Sequence, residues 1–563
     1  MGRRIRWLGI VLILCFALVL IQLTNLQFRQ AHQLASASAN PRNQAKILDN
    51  ARGDIVAADG SILAYSQALN IPGSYKYQRV YPTATARLFS DLVGYDSIKY
   101  GTWGIEYQYN DQLIAHAQPA RSLSQFLNPT TATDDVTLTV QPKLQLAAQQ
   151  ALAGRDGAIV ALNPNTGAVL AMYANPTYDP NLLASTSPTA QDQGRFFAVA
   201  KDSQGYDALA SLAYAQRWAP GSTFKVITTS AAYDYAPLLV NKSYPVRVAT
   251  PLPDSNLLLH NDGNTPCGGT IAQMLPPSCD PGYADLGLDI GGTNLYKQAT
   301  QFGYDSVPPL DIPGVVASNF PTPAELKDNL PGVAYSAIGQ EDVAATALQG
   351  ALEASAIANG GVIMTPHLMA QIRDSQGNLV TNFGLKPWMR ATTQATAAAI
   401  TPLMEEVVTS GTAGQVGFLP EDQVAAKTGT AQAGQQNQLV TAWMIAFAPA
   451  SQPRVAIAVV LPDQAFDVTG AKAAGPVMKA MIEAALALTG PLPPVSPAPH
   501  YTPPPPAGAT TTTTAKAPGA TTTSTAAGAG TTTTTPPTTA PAATTTSPPS
   551  TTAPTTAPPP PTT

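Results

Sequence analysis

Short runs of apolar, often β-branched residues alternate with longer alanine-rich stretches through the middle of the chain. Short apolar runs of this kind predict buried strands, and the longer stretches predict helices. The predicted strands lie at 158–162, 169–172, 442–447 and 455–461. The predicted helices lie at 142–153, 343–358 and 475–488. Strands interleaved with helices indicate a mixed α/β fold in which helices cover a sheet.

The amino end carries a long apolar segment. Three arginines lie within residues 1–6, and a mostly apolar run follows over 7–28, a length that suits one bilayer crossing. We therefore predict a single membrane anchor, with residues 1–6 in the cytoplasm and the rest of the chain outside it, because basic flanks stay inside. A cleaved signal peptide is the competing interpretation, since 35–37 reads Ala-Ser-Ala, but this site lies far beyond the apolar run.

The carboxyl end has a different composition. From 491 to 563 nearly every residue is Thr, Pro, Ala, Gly or Ser, and Lys516 carries the only charge. Such a segment has too few large apolar side chains to build a core, so we predict a disordered, extended tail. Two interpretations of it stay open, a glycosylated or wall-spanning stalk and an unmodified solvated tail.

Composition also bears on partners and cofactors. The 563 residues suggest about two to three structural units. The net charge is −5 with no basic block after the apolar segment, so we expect no nucleic-acid binding. The histidines are scattered, and the chain has no Cys-x-x-Cys or His-Glu-x-x-His motif, so no metal and no cofactor is predicted.

Two cysteines lie in the part of the chain predicted to be exported. Cys267 and Cys279 are close in sequence, and a disulfide persists in an oxidising compartment. The alternative is two unpaired, small apolar residues. A bridge would brace the loop that begins at Ser278.

The strongest chemical signal is a Ser-Thr-Phe-Lys tetrad at 222–225, preceded by Pro-Gly. Residues three apart on a helix lie nearly one turn apart, so Ser222 and Lys225 share a face and the serine has a base beside it. Pro-Gly suits a chain turning into a helix, which leaves Ser222 at the amino end, where free N–H groups favour an oxyanion. To act as a base, Lys225 must be partly neutral, which requires burial or a nearby cation.

A second motif, Lys427-Thr428-Gly429-Thr430, supports the first. It lies in a short run that predicts an edge strand, with 443–447 as the next strand. Lys427 is a candidate for the cation that lowers the pKa of Lys225. The two motifs in this order resemble those of serine β-lactamases and penicillin-binding proteins.

These families carry a Ser-x-Asn triplet between the two motifs, and the matching triplet here is Ser278-Cys279-Asp280. The serine fits, but an aspartate replaces the asparagine. An amide both donates and accepts, whereas a carboxylate only accepts and brings a negative charge beside two lysines. Two outcomes stay open: Asp280 pairs with a catalytic lysine and keeps it charged, or Asp280 takes up a proton and donates.

The resemblance extends to class B penicillin-binding proteins over roughly residues 40 to 490. Residues 52–55 and 59–64 resemble the membrane-proximal signature of that family, and Gly-Ile-Glu at 104–106 resembles the stretch that follows it. Residues 136–181 resemble the opening of the transpeptidase domain. Within the family, 40–44 and 221–229 are most similar to the actinobacterial penicillin-binding protein A group.

This resemblance implies a fold and a domain order. The fold is a five-stranded sheet sandwiched by helices, with an all-helical lobe and an active site in the cleft between them. A small membrane-proximal, dimerisation-like module is expected at 29–135, and a transpeptidase domain at 136–490. The anchor at 7–28 precedes them and the tail at 491–563 follows.

The resemblance also implies a peptidoglycan D,D-transpeptidase. Ser222, deprotonated by Lys225, attacks the penultimate D-alanine of a stem peptide, and an amine of a neighbouring stem takes the acyl group. Ser278 relays a proton, and Lys427 polarises the hydroxyl of Ser278. The backbone N–H groups of Ser222 and Thr430 form the oxyanion hole. The implied substrate-binding residues are Asp280, Thr428, Gly429 and Thr430. β-Lactams acylate Ser222 because they mimic D-Ala-D-Ala.

The implied partners are stem peptides, β-lactams, a polytopic SEDS-type glycosyltransferase and divisome or elongasome proteins. The implied location is the plasma membrane of a bacterium, with one membrane pass and the catalytic domain outside.

Two rival functions stay open. A D,D-carboxypeptidase or β-lactamase would give the acyl group to water. A catalytically weak or inactive scaffold, suggested by Asp280, would stimulate the partner glycosyltransferase.

Overall fold

The structure is a computed structural model that describes residues 2–24, 49–69, 75–117, 131–433 and 439–488. The predicted tail lies outside the described residues. Residues 25–48, which hold the end of the predicted anchor and the start of the predicted module, lie outside them too.

The described residues form strands β1 to β21 and helices α1 to α16. The strands are β1 (Ile55–Val56), β2 (Ile62–Ala68), β3 (Tyr77–Val80), β4 (Tyr95–Ser97), β5 (Gly101–Trp103), β6 (His116–Ala117), β7 (Thr131–Ala132), β8 (Asp134–Leu138), β9 (Gly157–Leu162), β10 (Val169–Asn175), β11 (Tyr244–Arg247), β12 (Ala249–Pro251), β13 (Leu258–His260), β14 (Cys267–Gly269), β15 (Val362–Met364), β16 (Met369–Asp374), β17 (Leu379–Asn382), β18 (Pro387–Arg390), β19 (Ala425–Ala433), β20 (Leu439–Ala448) and β21 (Val455–Ala465). The helices are α1 (Gly2–Thr24), α2 (Ser90–Val93), α3 (Ile105–Gln108), α4 (Asn110–Leu113), α5 (Pro142–Leu152), α6 (Pro180–Leu183), α7 (Pro188–Val199), α8 (Lys225–Tyr235), α9 (Ile271–Met274), α10 (Asp280–Ile290), α11 (Gly292–Gln301), α12 (Pro323–Leu326), α13 (Leu330–Ser336), α14 (Ala347–Ala358), α15 (Gln394–Thr409) and α16 (Gly470–Ala487). Short 3-10 helices lie at Gly221–Phe224, Pro237–Leu239, Asp262–Asn264, Gly414–Val416 and Pro420–Asp422.

A five-stranded antiparallel sheet forms the centre of the region predicted to be the transpeptidase domain, in the order β10-β9-β21-β20-β19. Its strands are apolar along most of their length because helices cover both faces. Helix α14 packs on one face, where Gly350 lets its backbone approach Trp443 and Ala458. Helices α5 and α16 pack together on the other face. This arrangement confirms the predicted mixed α/β fold, and β19 lies at the edge, as its sequence predicts.

Two helices begin away from their predicted positions because caps decide where they start. Helix α14 begins at Ala347, since the Thr346 hydroxyl accepts a hydrogen bond from the Gln349 N–H at 3.0 Å. Helix α16 begins earlier than predicted, at Gly470, with Thr469 as its N-cap. Apart from Lys472, the first six residues of α16 are Gly or Ala, so they add little to the apolar pattern from which the helix is predicted.

A helical lobe packs beside the sheet. Helix α8 lies at its centre and contacts α10, α11 and α15, and α10 packs on α13. Phe224, immediately before α8, stacks on Phe320 with ring centroids 5.3 Å apart and meets Tyr304 edge-on at 5.5 Å. These fully buried rings fix the start of α8, and therefore the tetrad at 222–225, against the lobe.

A second sheet joins distant parts of the chain. Its order is β17-β16-β8-β1-β2-β3, with β1 and β8 parallel. Strands β16 and β17 lie more than 200 residues after β8 in sequence, yet β16 pairs directly with it. Strands β1 to β3, near the start of the chain, are therefore continuous with a sheet that much later residues help to build.

A buried charge cluster joins Arg52, from the segment 52–55, to Glu106 of the Gly-Ile-Glu segment. Arg52 Nη2 lies 2.9 Å from Glu106 Oε2, and Arg79 Nε lies 2.5 Å from Glu106 Oε1. The Tyr81 hydroxyl donates to the same carboxylate at 3.2 Å. Burial raises the pKa of Glu106, but the charges of Arg79 and Arg52 outweigh it and hold the pKa below its usual range.

Helix α1 covers most of the segment predicted to be a membrane anchor. Within the described ranges, no helix is both long enough and apolar enough to cross a membrane.

Candidate active site

The Ser222 turn connects the sheet to the helical lobe. The 3-10 helix Gly221–Phe224 runs directly into α8, so Ser222 lies in the first helical turn and is half-buried. Gly221 adopts a positive φ of 54°, and a Cβ there would lie 2.7 Å from the carbonyl oxygen of Thr430. Its N–H donates to the Gly339 oxygen at 2.8 Å. Glycine is therefore required by both the backbone conformation and the close approach of β19.

The Lys225 amine is fully buried, and its hydrogen bonds go to the Ser278-Cys279-Asp280 triplet. Lys225 Nζ donates to the Ser278 carbonyl oxygen at 2.6 Å, to Ser278 Oγ at 3.3 Å and to Asp280 Oδ1 at 2.6 Å. The ring of Tyr283 lies under the amine, 5.3 Å from Nζ to the centroid. An ammonium has three N–H donors, so these three acceptors saturate it. The hydroxyl of Ser222 is not one of them.

Ser278 is held in an unusual conformation. Its φ is +62°, a region that non-glycine residues rarely adopt. The loop is fixed by the Cys279 N–H, which donates to the Met274 oxygen at 3.0 Å, and by a disulfide that joins Cys279 to Cys267 in β14. Tertiary contacts thus fix a strained residue at the position where two lysines meet.

The second buried lysine reaches the same hydroxyl. Lys427 Nζ donates to Ser278 Oγ at 2.8 Å and to the Thr428 oxygen at 2.9 Å, and its side chain is fully buried. The Thr428 hydroxyl is 2.6 Å from that of Thr412. Both lysines therefore converge on Ser278 Oγ, Lys427 at 2.8 Å and Lys225 at 3.3 Å.

Burial and charge act differently on the two lysines. Burial lowers the pKa of Lys225, and the carboxylates of Asp280 and Asp262 oppose that shift without reversing it. Burial also lowers the pKa of Lys427 to well below its usual range, and the charge of Lys225 lowers it further. Burial, rather than Lys427 as a second cation, is therefore the main cause of the lowered pKa of Lys225.

Gly429 brings the edge strand onto the Ser222 turn. A Cβ at Gly429 would lie 2.6 Å from the Pro220 carbonyl oxygen and 2.9 Å from Thr223 Cγ2. The hydroxyl of Thr430, one residue further, accepts a hydrogen bond from the Gly470 N–H at 3.0 Å. The strand and the turn are therefore in backbone contact, which places Thr428 and Thr430 beside the serine.

Sequence reasoning missed several supporting residues. The Asn261 side chain accepts from the Asp280 N–H at 3.0 Å and orients the start of α10. Asn261 and Thr412 lie 19 and 16 residues from the motif residues that they contact, and no local pattern marks either of them. Tyr283 follows Asp280 by three residues on the same helix, and this spacing is a signal that could have identified it.

A serine at a helix start, two buried lysines that meet at a second serine, and a neighbouring edge strand together define a serine acyl-transferase of the Ser-Lys type. Comparisons with known proteins agree with this class. Residues 157–483 match the family model of the penicillin binding protein transpeptidase domain, and residues 52–136 match that of the penicillin binding protein A dimerisation domain.

Relatives match over nearly their whole length. The peptidoglycan D,D-transpeptidase PbpA of Mycolicibacterium smegmatis is 35% identical over 497 residues, which cover 84% of this chain and 98% of that protein. PbpA of Mycobacterium tuberculosis is 35% identical over 491 residues, 84% of this chain and 96% of that protein.

Solved structures agree. Penicillin-binding protein A from M. tuberculosis, as a ceftriaxone acyl-enzyme complex, superposes with a TM-score of 0.71 at 32% identity and covers 78% of this chain and 100% of its own. A further crystal structure of that protein gives a TM-score of 0.70 at the same identity and coverage. This chain belongs to the class B penicillin-binding proteins.

Proposed function

We propose that this protein is a peptidoglycan D,D-transpeptidase that cross-links stem peptides through an acyl-enzyme on Ser222. One observation carries the proposal: the amines of Lys225 and Lys427 converge on Ser278 Oγ beside the Ser222 turn, in a chain of the penicillin-binding family. Membership of that family, and the names of relatives that match over nearly their whole length, support the same activity.

Acylation begins when Lys225, in its neutral form, takes the proton of Ser222 Oγ. The oxygen attacks the carbonyl carbon of the penultimate D-alanine, and the backbone N–H groups of Ser222 and Thr430 stabilise the oxyanion. The C–N bond then breaks, and the leaving nitrogen takes a proton through Ser278 Oγ, which Lys427 polarises. The products are free D-alanine and an ester on Ser222.

The acceptor step reverses these movements. An amine of a neighbouring stem loses a proton through the same relay and attacks the ester carbonyl. A new peptide bond forms, and Ser222 Oγ leaves and recovers its proton from Lys225. β-Lactams enter at the first step, because opening their ring leaves no small product to depart and the ester persists.

The edge strand β19 is where we place the substrate. An edge strand offers unpaired N–H and C=O groups to an extended peptide. In this arrangement, the hydroxyls of Thr428 and Thr430 bind the terminal carboxylate of the donor. Gly429 contributes by keeping the strand close to the serine.

The location follows from the substrate. Peptidoglycan is cross-linked outside the cytoplasm, so we place the catalytic domain on the outer side of a bacterial plasma membrane, with the segment 7–28 as the attachment. The disulfide between Cys267 and Cys279 supports an oxidising compartment. We also propose that the protein acts together with a polytopic SEDS-type glycosyltransferase and with divisome or elongasome proteins, because a transpeptidase needs a source of new glycan strands.

Labelling with a fluorescent penicillin tests the activity. The full-length chain in detergent and its Ser222→Ala variant are incubated with the probe and run on a denaturing gel, with the exposed Ser203→Ala as a matched control. We expect a covalent band in the wild type and in Ser203→Ala that is absent in Ser222→Ala and stable for many minutes. A band that fades rapidly would indicate a carboxypeptidase or β-lactamase, and no band from folded protein would indicate a scaffold.

A further inference from the structure

Asp280 is fixed in place from several directions. It is the first residue of α10, where the helix dipole favours a negative charge. Its backbone N–H donates a hydrogen bond to the side-chain oxygen of Asn261, and a disulfide joins the preceding residue, Cys279, to Cys267. Its side chain is 17% exposed, and Oδ1 lies 2.6 Å from Lys225 Nζ. The carboxylate is therefore a built counterion for this lysine.

The pairing conflicts with the role of Lys225 as a base. A base needs a free lone pair, but this amine donates all three of its N–H groups to Ser278 and Asp280. The other charged and titratable groups around it are Asp262, Lys427 on β19 and the hydroxyl of Tyr283. Asp280 is the only one of these that forms an ion pair with Lys225 in the described part of the chain.

We propose that Asp280 is a positioning residue that holds Lys225 as an ammonium in the free enzyme, so that Ser222 becomes reactive only after Lys225 gives its proton to solvent. This inference rests on the proposed acyl-transfer function. An asparagine at this position would carry a neutral amide, which cannot act as a counterion. The aspartate therefore makes the resting enzyme less reactive and more dependent on pH.

The sign of the effect follows from the pair. The Asp280 carboxylate raises the pKa of Lys225 above the value that burial alone would produce. Asp280→Asn removes that charge, so Lys225 loses its proton at lower pH. At a pH below the titration midpoints of Lys225 in both proteins, only a small fraction of Lys225 is neutral. If the variant lowers the midpoint by one pH unit, that fraction rises about tenfold, and the acylation rate rises with it.

The experiment measures the second-order rate of acylation by a fluorescent penicillin from pH 5.5 to 9.5. It uses the full-length chain in detergent, the variants Asp280→Asn and Asp280→Ala, and a matched control, Asp289→Asn. Asp289 lies on the same helix but pairs with Lys242 at the surface. Unfolding midpoints of all four proteins identify variants that fail to fold.

We expect the wild-type rate to rise with pH, and both Asp280 variants to show the same rise at least one pH unit lower, with rates about tenfold higher near pH 7. The control should follow the wild type. If Asp280→Asn changes the rate by one factor at every pH, Asp280 acts on the ligand and the inference is wrong. An unchanged midpoint in both folded variants also overturns it. If Asp280→Asn is acylated and the wild type is not, the result supports the inference, because the ion pair then keeps Lys225 charged throughout. If neither the wild type nor Asp280→Asn is acylated, both the proposed function and the inference are overturned.

Discussion

The buried cluster around Glu106 allows a quantitative prediction. Glu106→Gln keeps the size of the side chain and one carbonyl oxygen, but it removes the negative charge that faces Arg52 and Arg79. Both guanidinium groups are nearly fully buried, so water cannot replace the lost partner. Removing one member of a buried ion pair costs about 3–5 kcal/mol. The Asp96 carboxylate lies 3.5 Å from Arg52 and still offsets part of the positive charge in the variant. We therefore expect a loss of unfolding free energy at the lower end of this range, about 3 kcal/mol.

Urea unfolding of the full-length chain checks this value, with the exposed Glu421→Gln as the matched control. Because a protein of several parts need not unfold in one step, hydrogen exchange of the β1 and β8 amides should be followed beside the midpoint. We expect a loss of protection in Glu106→Gln and none in Glu421→Gln. A loss of unfolding free energy below about 1 kcal/mol is typical of a surface ion pair. Such a small loss would contradict the conclusion that Glu106 is a buried partner that water cannot replace.

The pH dependence gives a second check of the same variant. The pKa of Glu106 is lowered in the folded state, so its contribution is fully present above the unfolded pKa of about 4.3 and is lost as pH falls through the folded pKa. The stability difference between wild type and Glu106→Gln should therefore be constant from pH 7 to about 5 and shrink only below about pH 4. A difference that already shrinks between pH 7 and 5 would contradict the lowered pKa.

Three further predictions concern the catalytic part. Gly429→Ala should lower penicillin acylation at least about tenfold, because its Cβ would push β19 off the Ser222 turn, whereas Gly384→Ala, in open space, should be neutral in the same assay. Burial raises the pKa of Glu353 to about 8, so this residue favours folding below about pH 4.5 and loses that contribution as pH rises to 8. Glu353→Gln should therefore remove a decline in the urea midpoint between pH 5 and 8, and an unchanged decline would contradict the assignment. Replacing Cys267 and Cys279 by serine should cost about 2–4 kcal/mol in urea unfolding, and an unchanged midpoint would refute this.

The elements of the catalytic part could be predicted because their signals are local. The strand runs at β9 and β21 and the helix at α5 have periodicity that a single window of sequence contains. Helix starts were less predictable, since α14 and α16 begin at threonine caps rather than where the apolar pattern begins. The six-stranded sheet left no local signal, because β16 joins β8 across more than 200 residues.

The candidate site divides in the same way. Ser222 and Lys225 share one helical turn, and Lys427 lies in a recognisable strand, so spacing alone singles them out. The partners of Lys225 depend on where the Ser278 loop lies, which the disulfide and Asn261 decide. Sequence left two states open for Asp280, and the structure pairs it with Lys225 at 2.6 Å.

The sequence by itself determined the chemistry of this protein: a serine and a lysine one turn apart, a second lysine on an edge strand, and apolar runs that suit a sheet covered by helices. Only the tertiary structure decided which groups touch and in which direction burial and neighbouring charges shift the pKa values of the two lysines. The physical reason is that hydrogen-bond partners and burial depend on segments distant in sequence, whereas helix faces and strand patterns depend on neighbours. Lys225 is an example, because one turn of helix places it near Ser222, but Ser278 and Asp280, more than fifty residues away, supply all three of its acceptors.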